Sequence, residues 1–313
     1  MPTAVAEPAT LPLTVEFGRP ATMALSAGRG CGLELNMPLL AGRARETLFP
    51  AVTRGPVGSG LQLFTSGDLL LGCITEPVTA EGQLAQQAQD LYRRVLTAAR
   101  GHHLYRMWNY VPRINAMTDG FENYRAFCQG RSLAFEAEAG AGFPRVLPSA
   151  SGVGTADGCL SLVFVAGRAE PRHLENPEQI PAYRYPLEHG PRPPSFSRAT
   201  VVPRPGRTLA FISGTAAIKG HQSVAPGDLY AQLDCTLDNL RLISLAAGFD
   251  ENLGANRKLA RHFKVYLRHA PDLPAAQSRL GRTLLKPDDH VIYLQADICR
   301  AELTVEIEAT LMS

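Results

Sequence analysis

The sequence predicts a chain in which one strand–helix–strand unit occurs twice in tandem, and three observations predict it. Gly72 and Gly214, each closing a β-type run, stand 142 residues apart. An amphipathic helix pattern follows each of them. Each helix pattern in turn stops at a glycine, Gly101 or Gly248, ahead of another β-type run. Side-chain identity between the copies is low, so the match is one of element order.

Taken in order, residues 1–60 read as an N-terminal arm and irregular leader with one strand at 13–17. A first unit at 61–155 and a second at 156–313 follow. LQLFTSGDLLLGCITE gives two short β runs about Ser66-Gly67-Asp68, the punctuation of a hairpin. In 81–100 the residues Leu84, Ala88, Leu91, Val95 and Ala98 step by 4, 3, 4 and 3, which places them on one helical face. Gly101 stops that helix. LYRMWNYV at 104–111 is a strand closed by Pro112, and CLSLVFVA at 159–166 is a further β-rich run.

Residues 171–205 form a Pro-rich connector, too long and too rich in proline for a packed element. They nonetheless carry Tyr183, Arg184, Tyr185, Arg192 and Phe196, and long loops bearing such residues are more often binding loops than linkers. The second copy has a strand at 208–214, a helix at 226–247 with Leu229, Leu233, Leu237, Leu240 and Ile243, and a strand at 261–267. The chain ends in β runs at 290–295 and 303–311. In the last, Leu303, Val305, Ile307 and Ala309 share one face while Thr304, Glu306 and Glu308 share the other.

Composition narrows the function. Of 313 residues 45% are hydrophobic, far too many for disorder despite 24 Pro and 28 Gly. With 31 Lys+Arg against 29 Asp+Glu, the net charge of +2 does not favour a nucleic-acid or anionic-membrane surface as the main business. Cys31, Cys73, Cys128, Cys159, Cys235 and Cys299 show no C-x-x-C pair and no nearby His pair at zinc-ligand spacing, and read as reduced, mostly buried thiols. The start lacks a basic segment followed by an apolar run, and no uncharged stretch approaches 18 apolar residues, so the expectation is a cytoplasmic protein.

GxSxG, HExxH, a P-loop lysine and a helix-opening GxGxxG are all absent, so chemistry must rest on a constellation. WNYVPRINAMTDGFENYRAFCQGR at 108–131 holds the chain's one Trp, Asn109, Tyr124, Arg125 and Arg131. By residue type it also reads as an aromatic strand and helix with surface arginines. SGTAAIKGHQS at 213–223 is a glycine-flanked polar loop whose Lys219 and His221 could neutralise an anion, or which merely turns the chain. In DICRAELTVEIE the acids Glu302, Glu306 and Glu308 are either solvated or, if the strand lines a cleft, raised in pKa by apolar walls. Glu306 lies nearest mid-strand and is the first choice for a general acid.

WNYVPRIN, NYRAFCQGR, YRYPLEHGPRPPSFSRA, FISGTAAIKGH and ICRAELTVEIE, an ordered set from about residue 100 to 309, resemble the chorismatase family, which removes pyruvate from chorismate. The resemblance implies an α+β fold of two YjgF/RidA-like (chorismate-mutase-like) units, with mixed sheets packed on helices. It also implies a homotrimer, or a monomer with trimer-like pseudo-symmetry, and a site mostly in the second unit. No metal and no organic cofactor are implied.

Residue by residue, Glu306 resembles the family's catalytic glutamate, which protonates the enolpyruvyl methylene. Arg125 and Arg131 match groups that bind the two carboxylates, for which guanidinium forks are suited. Tyr124, Tyr183, Tyr185 and Arg192 are further candidates for substrate contact. Cys299, seven residues before Glu306, and Gly214, which precedes Thr215 in the SGTA turn, resemble the 3-hydroxybenzoate-forming type. There a thiol relays a proton in the aromatising step and the glycine leaves room for the ring. Cys299 as a plain buried hydrophobe stays open.

The expected products are pyruvate and 3-hydroxybenzoate, with 4-hydroxybenzoate as a possible companion. The alternatives are hydrolysis to a dihydroxy-cyclohexadiene carboxylate, a RidA-like imine deaminase, and a non-catalytic sensor. Arg300, only six residues before Glu306, departs from the deaminase pattern, which places its carboxylate-binding Arg well upstream.

Overall fold

The computed structural model describes residues 11–19, 22–25, 31–58, 60–78, 83–204 and 206–313. The first ten residues of the arm, the expected helix start at Glu81 and Gly82, and the connector's end at Pro205 lie outside the described residues, as does the side chain of Cys31.

Most of the first half of the chain builds one sheet. β1 (Leu11–Phe17), β2 (Thr22–Leu25) and β3 (Cys31–Leu35) precede β4 (Leu39–Ala41), the long β5 (Arg45–Gly58) and the hairpin of β6 (Leu61–Ser66) with β7 (Leu69–Pro77). Then come α1 (Leu84–Ala98), β8 (His103–Pro112), a small hairpin of β9 (Met117–Thr118) and β10 (Phe121–Glu122), α2 (Asn123–Ala139), β11 (Ser149–Thr155) and β12 (Cys159–Gly167). Among the described residues the sheet order is β11-β8-β12-β7-β6-β5-β1-β3-β2.

The second half repeats the plan. β13 (Arg172–Leu174), β14 (Ala199–Arg204), β15 (Arg207–Ala216) and a small hairpin of β16 (Ile218–Lys219) with β17 (Gln222–Ser223) lead into α3 (Leu229–Ala246). β18 (Ala260–Leu267), α4 (Leu273–Thr283), β19 (His290–Gln295) and β20 (Val305–Met312) follow, in the sheet order β13-β14-β15-β20-β18-β19-β4.

The duplication is therefore longer than the sequence pattern. β6-β7-α1-β8-α2-β11-β12 and β14-β15-α3-β18-α4-β19-β20 are the same α+β unit, with strands in the same places. In both, the second and third helix-linked strands pair in parallel and the final strand returns antiparallel into the middle of the sheet.

Three expectations need correction. The described residues between 11 and 58 are no irregular leader: β1, β2, β3 and β5 widen the first sheet, and β4 adds an edge to the second. The first unit does not end at 155, because β12 inserts between β7 and β8 and the turn at 156–158 is a connection within the unit. The connector is also packed, with β14 a full sheet member and Asn176, Ser195, Ser197 and Arg198 buried. Its Pro203 lies where β13 no longer pairs, since that strand covers only 199–201, so the missing N–H breaks no ladder bond.

The two sheets face each other through a core that includes Val15, Phe17, Phe64, Trp108, Val163, Phe211, Tyr266 and Leu294. On the outer face of the first sheet lie Leu84, Ala88, Leu91 and Val95 of α1, the predicted stripe. On the outer face of the second lie Leu233, Leu240 and Ile243 of α3, against Val305 and Ile307 of β20. Each buried Leu or Val contributes roughly 1.5–3 kcal/mol, which favours this helix–sheet–sheet–helix layering. Among the described residues no helix is long and apolar enough to cross a membrane.

Candidate active site

Strand alternation turns the apolar residues of β20 to the helices and aims Glu306 and Glu308 between the sheets, each about 3% exposed. These two buried acids meet opposite surroundings. Glu308 accepts from Arg106 Nη2 at 2.8 Å and Trp108 Nε1 at 2.7 Å, and lies 3.0 Å from Lys264 Nζ, which also pairs with Glu46 at 2.8 Å. Ser151 and Tyr266 hydroxyls donate to it as well. Although burial opposes ionisation, Lys264 and Arg106 hold its carboxyl below the usual range.

Glu306 has no such cage. Its Oε1 is buried without a hydrogen-bond partner among the described residues. Burial first, and then the charge of Glu308, pushes its carboxyl up to about 8, with Arg106 and Arg198 opposing. Two carboxyls on one strand face whose environments drive them apart make an acid and a fixed anion.

A bulge in β15 shapes the floor. Between the pairs Ile212 with Ala309 and Thr215 with Ile307, both Ser213 and Gly214 stand opposite Glu308 alone. The extra residue turns polar groups towards the first unit: Ser213 Oγ accepts from Ala150 N at 2.8 Å, and Gly214 N donates to Ser151 Oγ at 3.0 Å. From α3, Asn239 Nδ2 donates to the carbonyls of Ala216 and Ile218, which fixes the segment beyond the bulge.

Glu306 lines a cavity with Arg125, Arg131, Arg198, Arg300, Cys299 and Tyr185, together with Ser151, Phe196 and Gly214. Arg131, on α2, is 3% exposed, sits over the Tyr92 and Phe135 rings, and has Nε and Nη2 without partners among the described residues. Arg198 donates from Nη2 to Tyr185 Oη at 2.7 Å, while its Nε is likewise unpartnered. Arg300 lies over the other side of the site, its guanidinium 5.4 Å from the Tyr185 ring centre. Buried cations without counter-ions are costly, and a bound anion removes that cost. Burial, with the charge of Glu306 next, pushes the Cys299 thiol up to about 12, so it stays S–H at neutral pH.

Glu306, Cys299, Arg125, Arg131, Tyr124, Tyr185 and Gly214 all line this cavity. Three expected residues do not. Tyr183 packs on the helix-side core of the first unit, Arg192 reaches outwards to Glu136 at 2.6 Å, and the Thr215 hydroxyl is turned onto the Ser213 carbonyl. Lys219 is occupied by Glu178 and Asp238. Nor does the second unit dominate, since α2 and β11 of the first supply one wall.

Sequence reasoning missed Arg198 and Ser151 and gave Arg300 no role in binding. Arg198 sits just before β14 in a segment read as loose connector, and Ser151 lies in a strand with no motif. The one signal was that Arg198 falls within YRYPLEHGPRPPSFSRA.

Comparison with known proteins agrees in outline. A family profile described as "Chorismatase FkbO/Hyg5-like, N-terminal" matches residues 52–166. The chain is 38% identical over 219 residues to the "3-hydroxybenzoate synthase" of Streptomyces hygroscopicus, covering 67% of this chain and 63% of that one. It is 42% identical over 217 residues to a "Chorismatase" of Streptomyces rapamycinicus, covering 66% and 63%. Both matches thus span less than two thirds of those relatives. A crystal structure of a chorismatase superimposes with TM-score 0.83 at 31% identity, covering 99% of this chain and 95% of that one.

Proposed function

The chain belongs to the chorismatase family, and on that premise we propose that it cleaves chorismate to pyruvate and 3-hydroxybenzoate, with Glu306 as the general acid. One observation carries the reading: a buried carboxyl, pushed up to about 8 and with its Oε1 unpartnered among the described residues, shares a cavity with buried guanidiniums that keep unpartnered nitrogens there. That suits a dianion whose enol ether must be protonated near neutral pH.

Proton transfer from Glu306 to the enolpyruvyl methylene generates an oxocarbenium ion. The ring C3–O bond then breaks as the C4 hydroxyl oxygen bonds to C3, pyruvate leaves with the ether oxygen, and the hydroxyl proton returns to Glu306. Opening of the C4–O bond with loss of the C3 proton gives 3-hydroxybenzoate. Chorismate and the sum of pyruvate and a hydroxybenzoate differ by no water and no electrons, so the overall change is redox-neutral. In this reading Arg131 and Arg198, which line the cavity, hold the carboxylates, and Arg125 and Arg300 add charge at its mouth. Cys299, close enough to Glu306 for its thiol to feel that carboxyl's charge, is our candidate for the proton relay that favours the aromatic product over the diol.

A relative named 3-hydroxybenzoate synthase supports the product choice. The same reading carries a cytoplasmic enzyme that is a homotrimer or a pseudo-trimeric monomer, which sedimentation of the purified chain separates. Pyruvate release from chorismate, read through a coupled dehydrogenase, tests the activity; no pyruvate at micromolar enzyme overturns it.

A further inference from the structure

At the cavity's mouth three side chains from two segments converge. Glu188 and His189 come from a single helical turn of the connector (Leu187–His189), and His221 from the tip of the β16–β17 hairpin. His189 Nε2 lies 3.0 Å from His221 Nδ1 and 3.3 Å from Glu188 Oε1, and His221 Nδ1 lies 3.2 Å from that same oxygen. Three ligand-type atoms thus form a nearly equilateral triangle.

A tetrahedral zinc ion with bonds of about 2.0–2.1 Å separates its ligands by about 3.3 Å, so this triangle is one face of such a site. Zinc sites with three protein ligands complete their shell with water, while Gln222 Nε2, 3.0 Å from Glu188 Oε1, lies 3.2 and 3.5 Å from the two ring nitrogens of His221 and so caps that ring.

The frame is built before any ion arrives. Gly220 N donates to Glu178 O at 2.9 Å and Ile180 N to Gly220 O at 3.0 Å, fastening hairpin to connector. The Tyr185 ring packs on both imidazoles, with centroids 5.2 and 6.3 Å away. Both imidazoles are largely shielded, at 18% and 24% exposed, whereas the Glu188 carboxylate at 56% faces solvent. Two nitrogens and one oxygen are a donor set for a zinc-type divalent ion, while magnesium and calcium prefer all-oxygen shells.

We propose that Glu188, His189 and His221 form a binding site for a divalent transition metal of the zinc type, which clamps the connector to the β16–β17 hairpin over the cavity's mouth. His189 and His221 are 32 residues apart in the chain, which no spacing rule would pair. The site does not rest on the chorismate reading, because its test is binding.

That test is isothermal titration of ZnCl2 into the full chain after chelator treatment and dialysis, with MgCl2 as control and His221→Ala and Glu188→Gln as site variants. The expected result is one equivalent of zinc at micromolar Kd or tighter, no magnesium heat, and binding weakened by about 100-fold in His221→Ala and about 10-fold in Glu188→Gln. A zinc-dependent rise in melting temperature, lost in the variants, accompanies it. Absence of zinc binding at 100-fold excess over the protein, or an affinity that neither variant changes, overturns the proposal. Should His221→Ala fail to fold, the half-exposed Glu188→Gln decides alone.

Discussion

A β-carbon built on Gly214 would fall 1.9 Å from Oε1 of Glu306, so the acid occupies its seat only because residue 214 has no side chain. The sequence-based account gave this glycine to the substrate ring. The structure gives the space first to the Glu306 carboxyl, with Ser151 Oγ at 3.1 Å closing the other side.

Gly214→Ala is therefore expected to fold, because the carboxyl can swing, but to lose about tenfold or more in kcat through misplacement of the acid. Product analysis of that variant is expected to show more diol and less aromatic acid. Wild-type kcat and product ratio in Gly214→Ala would break the link between these residues.

Glu306→Gln is expected to abolish pyruvate release. It also carries a stability signature whose sign follows from linkage. A folded-state value of about 8 lies above the ordinary carboxyl value of 4.5, so this group favours folding most below 4.5, and that contribution is lost as pH rises to about 8. Urea melts at pH 8 are expected to find Glu306→Gln more stable than wild type by about 3–5 kcal/mol, and the difference to vanish near pH 4. As the acid must be protonated, wild-type kcat is expected to fall as pH passes about 8. A rate that rises with pH there removes Glu306 as the proton donor.

These expectations show which parts of the site were legible. Alternation in VEIEA put Glu306 and Glu308 on one face, and the apolar neighbours Val305 and Ile307 required that face to be a strand's. What lay opposite was not legible, because Arg106, Trp108 and Ser151 reach β20 only through the facing of two sheets, across sequence separations of 157–202 residues. One unit's helix stripes and glycine stops were visible for the same local reason. The return of β12 into mid-sheet was not, since nothing local distinguishes a strand that pairs with β7 and β8 from one that opens the next unit. Arg192 and Arg198, six residues apart, show the limit clearly: only the sheet position of β14 turns one to Glu136 and the other to Tyr185.

Arg131→Lys keeps a charge but not the two-pronged fork. If Arg131 holds a substrate carboxylate, KM for chorismate is expected to rise by about 10–100-fold, the cost of a charged hydrogen-bond pair, with kcat changed less. Melting temperature is expected to hold or rise in Arg131→Met, since the guanidinium is buried without partners among the described residues. A lower melting temperature with unchanged KM would make this arginine structural.

Cys299→Ala removes a thiol that stays protonated at neutral pH. Total pyruvate release is expected to persist within about threefold, because a proton relay is worth less than the acid itself. The ratio of hydroxybenzoate to diol is expected to drop. An unchanged ratio confines Cys299 to filling space beside Tyr124.

The most direct measurement is chromatographic identification of what the purified chain makes from chorismate. Pyruvate and 3-hydroxybenzoate in equal amounts, absent from Glu306→Gln, are the predicted result. Chorismate recovered intact at micromolar enzyme, or consumed equally well by Glu306→Gln, would contradict the account.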